Sequence, residues 1–109
     1  METLMAQLSS TYGEEDPTYA IFFTITSCRQ LKQRFGGVSP YVVVRVGIDA
    51  YQTKVVKDCT EPDYFELSEF YIDRPYEEVI SIIVMDRYDI GNDQEIGHAD
   101  IPLKDLRIG

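Results

Sequence analysis

Residues 79–97 read VISIIVMDRYDIGNDQEIG, a β-branched apolar run that passes into an acidic loop and then into the start of another apolar run. Within it Ile80, Ile82 and Val84 alternate with Ser81, Ile83 and Met85. That period of two, with apolar residues on both sides, predicts a strand buried largely on both faces. A loop hung on such a strand is held rigidly at its root. Asp86, Asp89, Asn92, Asp93 and Glu95 crowd this one around Gly91. Carboxylates so crowded repel one another unless a cation, a basic partner or solvent answers them.

Outward from this stretch the same signature recurs. Residues 20–26 are aromatic and β-branched, and residues 41–46 set Val42, Val44 and Val46 against Tyr41, Val43 and Arg45. Residues 51–57 are more polar and predict an edge strand. After a break at Pro62-Asp63 a further strand is expected over 65–72, where Glu66, Ser68 and Glu69 interrupt the alternation and leave the buried face undesignated. A last strand is expected over 98–103, stopped near Pro102, which only an edge or a strand end tolerates. At the N-terminus Leu4, Ala6 and Leu8 alternate as in a strand, while Leu4 with Leu8 also fits a helical stripe. Strand is the preferred reading, followed by a turn at Gly13 to Pro17. The expected fold is all-β, an antiparallel Greek-key sandwich of seven to eight strands. It forms one domain over 1–109, with 1–18 as opening strand or extension and 19–109 as the core sandwich, and is expected to be part of a larger protein.

Composition narrows function. Cys28 and Cys59 can pair at most once, no signal-peptide pattern precedes them, and a cytoplasmic chain with free thiols is expected. A net charge of −9 makes the domain a poor binder of nucleic acid and disfavours anionic membranes, both of which reward Lys and Arg. The single His98 has no serine or cysteine motif beside it, and two cysteines with one histidine are too few for zinc, so no enzyme is expected. Eight tyrosines and five phenylalanines exceed what one small core needs, so Tyr12, Tyr19, Tyr51, Tyr71 and Tyr76 cannot all be buried. They fit partner interfaces and outward sheet faces equally well.

The order of Cys28-Arg29-Gln30-Leu31, Ser39-Pro40-Tyr41-Val42-Val43-Val44, Thr53-Lys54-Val55, Glu61-Pro62, Val84-Met85-Asp86 and Ile96-Gly97 resembles a C2 domain from Tyr19 onward. The resemblance implies an eight-stranded sandwich whose loops at one end bind calcium and then phospholipid. It also implies acids at positions that here hold Gln33, Ser39, Tyr88 and Gln94, leaving Asp86 alone in register, with Asp89 and Asp93 as weak out-of-register candidates. One aligned carboxylate falls short of the six to eight oxygens calcium takes, so no cofactor is expected. The candidate lipid or partner loops carry Arg34, Phe35, Tyr88 and Ile90, and the one local basic cluster is Arg29, Lys32 and Arg34. The expected function is a calcium-independent module of protein–protein interaction or scaffolding, cytoplasmic and peripheral to a membrane or cytoskeletal structure. The alternative is peripheral phospholipid binding, with or without weak calcium dependence. Because the resembled fold has an eighth strand where residues 104–109 leave room only for a turn, the edge around His98 to Ile101 is expected to take a strand from a partner, from a second copy or from residues that follow in the full-length protein.

Overall fold

The computed structural model describes residues 4–12, 17–31, 37–72 and 77–105, with side chains from residue 20 onward. Seven strands follow in order among them: β1 Leu4–Tyr12, β2 Pro17–Ser27, β3 Pro40–Val46, β4 Asp49–Gln52, β5 Asp63–Ile72, β6 Val79–Asp86 and β7 Gln94–Pro102. A 3₁₀ turn, Leu103–Asp105, closes the described chain. Every pairing is antiparallel, in two sheets of order β1-β2-β5 and β4-β3-β6-β7. Alternate residues of each sheet meet in the middle: Ile21, Phe23 and Ile25 of β2 against Val42, Val44 and Val46 of β3 and Ile80, Ile82 and Val84 of β6. The Phe23 and Phe70 rings pack edge to face at 5.8 Å. The all-β sandwich read from the alternation is the one observed, and β1 is a strand whose register sets Leu4, Ala6 and Leu8 opposite Ile25, Phe23 and Ile21.

Three expectations need correction. The strand expected over 51–57 is four residues long and ends at Gln52. It enters through the two-residue loop Gly47-Ile48, with Gly47 at φ 61°, the positive φ that the first position of a type II′ hairpin demands. It stops because the Thr53 hydroxyl takes over from the backbone: Oγ1 accepts from Val42 N at 2.9 Å and donates to Lys54 O at 2.9 Å, while Thr53 N still reaches Val42 O. The last strand begins at Gln94 rather than His98 and yields to the 3₁₀ turn at Leu103, whose N–H bonds to Glu78 O. β7 pairs only with β6 among the described residues, so it is an edge; residues 106–109 lie outside them.

The third correction concerns β5, which starts at Asp63 and does have one buried face: Tyr64, Ser68, Phe70 and Ile72 point inward. Ser68 fits there because its hydroxyl donates to Phe23 O, and Glu66 is half-buried because it accepts from Tyr51 Oη at 2.6 Å and Lys54 N at 3.1 Å. Phe65, Leu67 and Tyr71 therefore face outward, 71%, 60% and 58% exposed. Ser27 pairs with Asp63 and Ile25 with Glu66, so Tyr64 and Phe65 together oppose Thr26 in a bulge. Phe65 sits in the left-handed region at φ 49°, clamped between Tyr64, whose hydroxyl donates to Pro40 O at 2.7 Å, and the anchored Glu66. A bulky residue there costs about 1–2 kcal/mol that glycine avoids. Phe65→Gly is accordingly expected to hold or raise the urea midpoint, and a loss above about 1 kcal/mol would show that the exposed ring supports the fold.

Candidate functional site

The end of the sandwich reached by the C-termini of β2 and β6 and the N-terminus of β3 gathers three loops, and backbone hydrogen bonds stitch them together. Cys59 N bonds to Val38 O, Arg87 N to Ser39 O, Leu31 N to Thr60 O and Cys28 N to Pro62 O, all between 2.9 and 3.1 Å. Gly37 stands at φ 90°, a conformation that side-chain-bearing residues rarely adopt, and an added Cβ would lie 2.9 Å from the exposed Asp58 carboxylate and displace it. Over this floor opens a cavity of about 590 Å³ that includes Ser39, Lys57, Asp58, Asp86, Arg87 and Asp89 in its lining.

The acids that the sequence placed here divide sharply. Asp86 ends β6 with 1% of its surface exposed; its Oδ1 accepts from Ser39 N at 2.9 Å, and its Oδ2 has no partner among the described residues. Asp93 is occupied by neighbours, with Oδ2 accepting from Tyr41 Oη at 2.6 Å and Oδ1 from Tyr88 N at 3.1 Å. Tyr88 and Gln94, at two positions where the resemblance implied acids, hydrogen-bond to each other, Tyr88 Oη donating to Oε1 at 3.2 Å. Asp89 is exposed on the cavity wall, and Ile90 beside it is 90% exposed. Among the described residues no three His, Cys, Asp or Glu side chains come together as a metal site would need. From Cys28 to Ile48 the sequence has no acid at all, so the first loop contributes no carboxylate.

Arg29 of the expected basic cluster is engaged locally, donating to Asp63 Oδ1 and to Cys28 O, both at 2.8 Å. Lys32, Gln33, Arg34 and Phe35 lie outside the described residues, as does Tyr76. His98 stands on the surface of β7, 2.9 Å from Asp100 and 3.7 Å from Glu95. Sequence reasoning missed two features of this end, the Tyr41–Asp93 bond and the placing of Lys57 and Asp58 against Ser39 and Asp86, because each brings together segments far apart in the chain with no spacing signal.

The Tyr41–Asp93 bond carries a pH signature. The donated hydroxyl holds the Asp93 carboxyl below the usual range, and the same bond pushes Tyr41 up to about 12. A lowered carboxyl contributes stability that is present above its unfolded pKa and lost as pH falls through the folded one; for the raised phenol it is present below the unfolded pKa of about 10 and lost as pH rises through about 12. Tyr41→Phe is thus expected to lower the melting temperature at pH 7 and to converge on the parent well below pH 4. Parallel melting curves across that range would contradict it.

The chain resembles known proteins along most of its length. A family model described as "C2 domain" matches residues 20–109. The Arabidopsis thaliana protein "Protein C2-DOMAIN ABA-RELATED 11" is 29% identical over 92 residues, 84% of this chain and 55% of that protein, so the chain spans about half its length. A C2 domain of the Drosophila protein RIM superposes with TM-score 0.75 at 22% identity, covering 93% of this chain and 86% of that one. A C2 domain of a plant extended synaptotagmin 1 does so with TM-score 0.74 at 22% identity, covering 79% and 70%. At that identity the structural likeness speaks for the fold alone.

Proposed function

From the premise that the chain belongs to the C2 domain family, we propose that it is a calcium-independent protein-binding module, a scaffolding part of a larger cytoplasmic protein. C2 domains bind membranes or proteins and are in general not catalytic. The observation that carries this reading is the state of the loop carboxylates. Both Asp93 oxygens are taken by Tyr41 and Tyr88, Asp86 gives one oxygen to Ser39, and the first loop brings no acid. This donor set does not fit calcium, which takes six to eight converging oxygens. Protein is favoured over lipid because a charge of −9 faces anionic headgroups unfavourably and Arg29 is already neutralised by Asp63.

One observation favours peripheral membrane contact as a second reading: Ile90 projects from the loop tip beside a cavity wall that includes Lys57 and Arg87. Sedimentation with phosphatidylserine vesicles, with and without calcium, separates the two. The protein-binding reading expects the domain in the supernatant under both conditions. Pelleting that Ile90→Asp abolishes would establish the membrane reading instead.

A further inference from the structure

The outer face of a sandwich sheet is ordinarily polar. Here three of the large apolar side chains most open to solvent stand in one row on β5, Phe65, Leu67 and Tyr71, and the register continues the row onto β2, where Phe22 lies opposite Glu69 and Thr24 opposite Leu67. Phe65 is held outward at a backbone conformation that its own side chain disfavours. Strain of this kind persists where neighbours over-determine it and gathers at binding sites. β5 is also an edge, paired with β2 alone among the described residues, and its outward positions 65, 67, 69 and 71 are apolar except for Glu69.

Charge selects the occupant. Neither β2 nor β5 contains a lysine or arginine, and β5 carries Asp63, Glu66 and Glu69. Asp63 is matched by Arg29 and Glu66 by neutral donors, but Glu69, in the middle of the row, accepts only the Tyr71 hydroxyl and meets no cation among the described residues. A second copy would bring the same acids against this row, and an anionic membrane would add more. We propose that this face, built from Phe22, Phe65, Leu67 and Tyr71 around Glu69, docks an extended protein segment whose every second residue, on the side turned to this face, runs apolar, basic, apolar. Such a segment adds to the free edge of β5 by main-chain hydrogen bonds, sets its apolar side chains beside Leu67 and Tyr71, and places a basic one against Glu69. The inference rests on the protein-binding reading above.

The probe is a short labelled peptide with Val, Lys and Phe at successive every-second positions and Thr between them, compared with its Glu-for-Lys counterpart by fluorescence anisotropy at low salt. The lysine peptide is expected to bind at least about tenfold more tightly than the glutamate one. Leu67→Asp and Glu69→Lys should each weaken it about tenfold with the melting temperature kept, and amide shifts should map to β5. Phe65→Gly, which relieves backbone strain, removes the ring without threatening the fold. Overturning results are equal affinity for the two peptides, no binding of the lysine peptide, indifference to Leu67→Asp, a dimer in light scattering that Leu67→Asp dissolves, or vesicle adsorption lost with Phe65→Gly. Calcium-dependent vesicle binding through the loops would overturn the protein-binding reading yet leave peptide affinity on β5 intact; failure on β5 with no calcium response overturns this inference alone.

Discussion

Phe23→Ala will lower the unfolding free energy by about 4 kcal/mol and the melting temperature by on the order of 15 °C. The Phe23 side chain is fully buried, lies at the centre of β2 between the two sheets and packs edge to face on Phe70. Its removal forfeits the transfer free energy of the ring and leaves a cavity that two hydrogen-bonded sheets cannot collapse to fill. The companion measurement is Leu67→Ala, a residue 60% exposed on the other face of the same sheet, expected within about 0.5 kcal/mol of the parent. Urea unfolding of the two variants side by side tests the assignment of inner and outer faces. A comparable loss at both positions would mean that β5 is packed in a different register.

Thr53→Val will cost about 2–4 kcal/mol although it keeps the shape of the side chain. Thr53 is 3% exposed, and its hydroxyl serves Val42 N as acceptor and Lys54 O as donor. Valine leaves both backbone groups without that partner, each at a penalty of about 1–3 kcal/mol where water does not reach. Thr53→Ser, which restores the hydroxyl, should recover most of the loss. If valine were tolerated as well as serine, the hydroxyl would not be what joins the segment after β4 to β3.

That threonine also marks where the sequence stops being legible. A period-two pattern reports which residues can face a core: it groups Val42, Val44 and Val46 of β3 and Ile80, Ile82 and Val84 of β6 as the structure does, in strands flanked on both sides by others. The opposite side of β6, Ser81, Ile83 and Met85, is half-buried rather than buried, and for β2 the pattern names no face. The pattern is silent on hydrogen bonds. Nothing in Tyr51 to Lys57 says that a side-chain hydroxyl takes the place of a ladder acceptor at Thr53, so the strand expected over 51–57 overruns the observed end at Gln52. On β5 the difficulty is physical rather than statistical: inward Ser68 and outward Leu67 reverse the usual preference, since Ser68 is satisfied by Phe23 O and the outer face is unusually apolar. At the loop end the sequence identifies Asp86 and Asp93 but not their fates. Those depend on Ser39 and Tyr41, more than forty residues away.

The measurement that bears most directly on calcium independence is a thermal melt in EDTA and again in millimolar calcium. An ion bound only by the folded state stabilises it by RT ln(1 + [L]/Kd), about 2.7 kcal/mol when its concentration is about a hundred times Kd. For a domain of this size that amounts to roughly 10 °C. With Asp93 held by Tyr41 and Tyr88, and no carboxylate from the first loop, the two melts are expected to superimpose. A reproducible rise of several degrees in calcium, lost again on Asp86→Ala, would show instead that the loops rearrange into a working cation site.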